Sequence, residues 1–187
     1  RRQGLPRPHH GAVHVPLASI PGMRDRTIVL SGFSKAFAMT GWRLGYVAAS
    51  AEIINAMNKV HAYTAMCAPT MAQMAAVEAL QHGDRDVAMM RDDYNQRRRV
   101  ILNRLRALGL SCFEPKGAFY VFPCITRTGL TSTAFAERFL MEHRVAVVPG
   151  NAFGECGEGY VRCCYATALP LIEEAMARMG QFVASLC

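Results

Sequence analysis

The stretch Leu30-Ser31-Gly32-Phe33-Ser34-Lys35-Ala36-Phe37-Ala38-Met39-Thr40-Gly41-Trp42-Arg43-Leu44-Gly45-Tyr46 decides how this chain is read. Its start belongs to an apolar run over 27–33 that predicts a short buried strand. Lys35 follows at the strand's C-terminal end, where open α/β sheets bind their ligands. Arg43 stands eight residues further on. A lysine amine can form a Schiff base with an aldehyde, and an arginine fork grips a phosphate through two parallel hydrogen bonds. A lone Ser-Lys pair would carry no weight, because most lysines are solvated surface charges. Here the apolar run before it and the Gly41-Trp42-Arg43-Leu44-Gly45-Tyr46 segment after it give it meaning.

Working outward, 43–49 reads as a second strand, and the period changes at Ser50. Ser50 is a candidate N-cap, with Ile53, Ile54, Met57 and Val60 on one helical face. Pro69 opens another helix whose Met71, Met74, Ala75 and Leu80 form a stripe expected in a core, with a stop at Gly83. A long helix follows from about Asp84 to Leu108 and ends at Gly109, a rod fit to connect two lobes. Beyond it the pattern is β-α-β-β-α. Strands are expected over 118–122, 145–148 and 160–165. Helices are expected over 132–143, capped by Thr131 or Ser132, and from Pro170, with Ile172, Met176, Met179 and Val183 inward. The division is placed near 109, with the end of a larger α/β domain before it and a small α+β domain after it.

The composition bounds the alternatives. Of 187 residues, 51% are apolar and 19% are charged, which is globular rather than disordered. No apolar run is long enough for a membrane helix, and the first residues lack the apolar core of a signal peptide. The chain does not begin with Met, which reads as a fragment or a processed chain. The net charge of +7 gathers around Arg97, Arg98 and Arg99. With Asp84, Asp86, Asp92 and Asp93 interspersed and no stacking aromatics, this reads as a solvated helix face, not a nucleic-acid surface. Seven cysteines without a C-x-x-C pair favour neither a zinc site nor a disulfide framework. Reduced thiols in the cytoplasm are the simplest account. Adjacent Cys163 and Cys164 in a strand should face opposite sides. The histidines show no ligand spacing, so no metal site is expected, and His61, His82 and His143 read as helix-surface residues.

The 30–46 segment resembles the cofactor-lysine segment of class I/II aminotransferases, the fold-type I enzymes that use pyridoxal 5′-phosphate (PLP). Gly159-Tyr160-Val161-Arg162-Cys163-Cys164-Tyr165-Ala166 resembles the segment of that family whose arginine binds the substrate carboxylate. Lys116-Gly117-Ala118-Phe119-Tyr120-Val121-Phe122-Pro123 and Val148-Pro149-Gly150-Asn151-Ala152-Phe153-Gly154 are similar to further family segments. The resemblance implies an α/β fold: the C-terminal part of a large PLP-binding domain of the aspartate aminotransferase type over 11–109, then a small α+β domain over 110–187. It implies a Schiff-base lysine and general base at Lys35, and a phosphate clamp at Arg43 with hydroxyls from Ser34 or Ser31. Many relatives carry a serine three residues before the lysine, where Gly32 stands here. It implies substrate contacts from Arg162, Gly117 and Phe119, and an approach of Tyr63 to a partner subunit's site. The bland readings are a structural ion pair of Arg162 with Glu155 or Glu158, a strand-edge Ser31, and packing at Phe153.

Amino-acid and 2-oxo-acid substrates, a homodimer when intact, and no nucleic-acid or membrane partner complete the expectation. Family members are about twice this long and place an Asp-x-x-Tyr strand where Arg1-Arg2-Gln3-Gly4 stands. Residues 1–10 are therefore read as an atypical segment, from a shifted reading frame or a truncation. Without that aspartate, this chain alone is expected to be weak or inactive. The leading reading is a PLP-dependent aminotransferase of the aspartate/aromatic/alanine-like branch. A carbon–sulfur lyase of the same fold, an aminotransferase-like domain of a transcription regulator and an inactive remnant are the alternatives.

Overall fold

The computed structural model describes residues 14–186, so the atypical segment at 1–10 lies outside the described residues. The chain divides into two compact units, with the boundary in sequence between Arg91 and Asp92.

In the first unit, β1 (Val29–Gly32) pairs antiparallel with β2 (Gly45–Ala48), Ser31 opposite Tyr46 and Gly32 opposite Gly45. The strand ends where α1 (Phe33–Ala36) begins, so Lys35 stands on a single helical turn directly after β1. The expectation of a buried strand is corrected: among the described residues β1 has β2 as its one neighbour, and Leu30 is 67% exposed. Side chains alternate across a two-stranded ribbon, so one face stays in water unless something covers it.

Two helices follow, α2 (Ala51–Thr64) and α3 (Thr70–His82). Ser50 occupies the N-cap position of α2, but its side chain makes no capping hydrogen bond. The methionine stripe of α3 is also corrected. Met71 and Met74 are exposed, whereas Ala72 and Ala76 are buried. The alanine face admits close approach, and Ala76 packs with Phe33 and Met39 in a small core flanked by Phe37, Leu44, Ala75 and Ala79.

Helix α4 (Asp84–Ala107) spans about 36 Å at ~1.5 Å per residue. Its end is a Schellman motif: Gly109 takes φ +69°, Leu110 N–H donates to Leu105 O at 3.0 Å, and Gly109 N–H donates to Arg106 O at 3.0 Å. Gly109 thus stops the helix as its sequence predicts. The units nevertheless part inside α4, because Ile101, Leu102 and Leu105 are buried in the core of the second.

That second unit holds β3 (Tyr120–Val121), β4 (Val148–Pro149) and β5 (Val161–Cys164) in the order β3-β5-β4, all antiparallel. Helices α5 (Ser132–His143) and α6 (Leu169–Ala184) complete it. Thr131 caps α5 by accepting from Ala134 N–H at 3.2 Å. Phe135, Phe139 and Phe182 pack ring on ring, joined by Ile172, Met176, Met179 and Val183, the stripe expected of α6. Two side chains depart from expectation. Arg98 is only 8% exposed and donates to Glu114 at 2.6 Å, so it is not part of a solvated face, whereas Arg97 does pair with Asp93 at the surface. His143 is half-buried against Phe139 and Phe182.

Candidate functional site

The excursion from Phe33 to Leu44 closes on itself. Phe33 N–H donates to Leu44 O at 3.2 Å, and Met39 N–H donates to Phe33 O at 3.4 Å. The buried Phe33 side chain anchors this turn, with ring contacts to Phe37 and Tyr46 at 5.5 and 5.7 Å. Gly45 has a steric reason: a Cβ there would come within 3.0 Å of Ser31 O.

Two side-chain bonds tie the lysine turn to the arginine. Thr40 Oγ1 donates to Ser34 O at 2.9 Å, and Arg43 Nη1 donates to Thr40 O at 3.1 Å. Arg43 itself sits in the left-handed region at φ 52° and ψ 47°. For a residue with a Cβ this conformation costs roughly 1 kcal/mol or more, and such outliers gather at functional sites. Ala38, on the other side of the turn, shares the conformation at φ 53°.

Lys35 and Arg43 are both exposed, and Ser31 and Ser34 are half-buried. No acidic residue occurs between Asp25 and Glu52, so this turn is a cationic stretch without a built-in carboxylate. A primary amine, a guanidinium and two hydroxyls on one short turn are the donor set that an aldehyde phosphate requires. The residues present therefore fit PLP.

The second unit carries Arg162, Gly117 and Phe119. Arg162 lies mid-strand on β5, half-buried, and makes no ion pair among the described residues. The bland reading fails for Glu158, whose Oε1 instead accepts from Ser132 N–H at 2.7 Å at the start of α5. Two aromatic rings take the place of a carboxylate. The Arg162 Cζ lies 4.4 Å from the Tyr120 ring centroid and 4.5 Å from that of Phe153. Phe119 stacks on Tyr94 at 5.9 Å and borders the core. Its carbonyl accepts from Tyr165 N–H at 2.9 Å. Gly117 precedes Ala118, which takes φ 60° and whose carbonyl accepts the Tyr165 hydroxyl at 2.9 Å. Tyr63 is 94% exposed on α2.

The resemblance implies that the Pro149–Gly154 loop lies by Arg162, whereas neither the Tyr120 ring on that arginine nor the hydrogen bonds of Ser132 follow from the sequence reading. The Ser132 side chain is fully buried and accepts from Gly159 N–H at 2.9 Å and Tyr160 N–H at 3.2 Å. A serine beside a capping threonine at the head of a helix is the signal that was there to notice. Cys163 faces the core and Cys164 faces out, as strand alternation requires. Burial pushes the Cys163 thiol up to about 12 and the Tyr165 phenol up to about 12, so both stay neutral at physiological pH. Among the described residues no cluster of metal-ligating side chains occurs, and no helix is long and apolar enough to cross a membrane.

The family model "Aminotransferase class I and II" matches residues 9–179. An aspartate aminotransferase of Pyrococcus abyssi is 54% identical over 168 residues, covering 89% of this chain and 43% of that protein. Aromatic-amino-acid aminotransferase 2 of Thermococcus litoralis is 48% identical over 173 residues, covering 91% and 44%. The crystal structure of an aromatic aminotransferase from Pyrococcus horikoshii superposes with a TM-score of 0.89 at 52% identity, covering 94% of this chain and 47% of that one. The fold is therefore that of the fold-type I aminotransferases, and the chain spans less than half the length of these relatives.

Proposed function

This chain belongs to the class I and II aminotransferase family, and from that premise we propose that it is the lysine-bearing part of a PLP-dependent transaminase. The protein would exchange an amino group between an amino acid and a 2-oxo acid. The observation that carries the reading is the Lys35–Arg43 turn, in which a strand-end amine and a left-handed arginine are tied together through Thr40.

When bound, PLP supplies an aldehyde that captures amino groups and a conjugated ring that takes up electrons from the substrate Cα. The remaining work falls to the chain. Arg43 binds the phosphate, since its planar fork matches two phosphate oxygens and it never loses its charge. The Ser34 and Ser31 hydroxyls supply further donors. Lys35 first holds the cofactor and then moves the proton at the substrate Cα. Arg162 binds the substrate carboxylate; a half-buried cation with no ion pair among the described residues favours an anion there. Gly117 and Phe119 are assigned to the substrate's surroundings on resemblance alone. The same reading takes the intact protein as a cytoplasmic homodimer. Unbridged cysteines at all six described positions support a reducing compartment.

Borohydride reduction of the chain with PLP, followed by peptide mass mapping, tests this reading. The expected result is one modified peptide containing Lys35, absent from Lys35→Ala. Label spread over surface lysines, or label retained in Lys35→Ala, overturns it.

A further inference from the structure

We propose that Tyr120 and Phe153 are positioning residues that hold the Arg162 guanidinium ready to receive a planar carboxylate edge-on; the inference rests on the reading of Arg162 as the carboxylate-binding group. The guanidinium carbon lies over both rings, at 4.4 and 4.5 Å from their centroids, and among the described residues no carboxylate is paired with it. Aromatic faces attract a cation without using its N–H groups. The rings thus hold the guanidinium in place while its donors remain available to an incoming anion, which a salt bridge would not allow.

The rest of the unit is built to place Phe153. This ring is 50% exposed, more than burial alone would favour, and its loop is held from outside. The loop ends touch through backbone: a Cβ on Gly150 would lie 2.1 Å from Gly157 O, and a Cβ on Gly157 would lie 2.1 Å from Gly150 O. Gly150 N–H donates to Tyr160 O at 2.8 Å, which closes the clasp. Below it, the buried Ser132 hydroxyl accepts from Gly159 and Tyr160 and reaches Gly157 O at 3.4 Å. Phe122 meets Phe153 edge-on at 5.6 Å and supports it from the side. Helix α5 therefore fixes the clasp, the clasp fixes Phe153, and Phe153 with Tyr120 fixes Arg162.

The test uses the whole 187-residue chain labelled with 15N-arginine, with the Arg162 Nε–Hε signal assigned by its loss in Arg162→Lys. Without ligand, ring currents should displace this signal from the position of exposed arginines. Acetate, as a single-carboxylate probe, should shift it saturably. Tyr120→Leu and Phe153→Leu should each weaken acetate binding about 3- to 10-fold and return the signal toward the exposed position. Tyr120→Phe and Phe153→Tyr should restore both, and Ser132→Ala should move the signal although neither ring is altered. Should Tyr120→Leu unfold, Phe153→Leu, on an exposed loop, carries the same test. Leucine variants that bind acetate as the wild type does overturn the clamp and leave the carboxylate reading standing. An Arg162 Nε–Hε signal that acetate does not shift saturably in the wild type overturns the carboxylate reading and the clamp with it.

Discussion

The two units carry similar lengths of chain but very different cores. Beyond Arg91, sixteen buried residues form one cluster among the described residues, centred on Leu105, Phe135, Phe139 and Phe182. Before it, the core cluster has Phe33, Met39 and Ala76 as its buried members. Leu30, Val60, Tyr63, Met66, Met71 and Met74 remain in water in that first unit. The lesson is that apolar composition does not make a core; area removed from water does, and it requires an opposing face. The lysine turn thus rests on the less consolidated unit, and the arginine clamp on the better packed one.

Substitutions on the two sides break or sharpen that comparison. Phe139→Ala or Leu105→Ala should destabilise the second unit by roughly 3–5 kcal/mol, whereas Met71→Ala or Leu30→Ala should stay within about 0.5 kcal/mol. Urea unfolding followed by a probe in each unit checks this, and equal losses on both sides would remove the distinction.

A smaller effect comes from acid. The hydrogen bond and charge of Arg98 hold the Glu114 carboxyl below its ordinary value of 4.5. A carboxyl depressed in the folded state stabilises the fold above its unfolded value, and this contribution disappears as pH falls below 4.5 through the folded value. Glu114→Gln should remove that part of the acid sensitivity of the second unit while leaving the rest, as read from unfolding midpoints between pH 6 and pH 3. An unchanged pH profile would show that the Arg98–Glu114 pair is not coupled to folding.

The smallest perturbation is chemical labelling of the native chain. Iodoacetamide at pH 8 should modify Cys67, Cys156 and Cys164 readily and leave Cys163 unmodified, because burial holds its thiol at about 12. Mass mapping of the peptide carrying both Cys163 and Cys164 reads the result, and equal modification of the two would show that the β5 alternation is lost in solution.

Much of this architecture was legible along the chain. Lys35 stands at the end of β1, Thr131 caps α5, Pro170 lies in the first turn of α6, and Gly109 stops α4. Each of these is decided within a few residues, by a cap, a ring-locked φ or a left-handed turn. The methionine stripe of α3 fails as a core face for the opposite reason. A helical period identifies an apolar face but not the element opposite it, and the hairpin accepted alanines rather than methionines.

What the sequence by itself determined is thus the order and type of elements, the family, and the Lys35–Arg43 spacing, all set by local backbone chemistry and side-chain period. What only the tertiary structure decided is which groups meet across long separations. The buried Arg98 pairs with the exposed Glu114, Glu158 serves the head of α5 rather than Arg162, and Tyr120 and Phe153 converge on the Arg162 guanidinium. Those partners lie up to 42 positions apart in the chain, between Tyr120 and Arg162, and only the folding of β3, β5 and the clasped loop against one core brings them within reach.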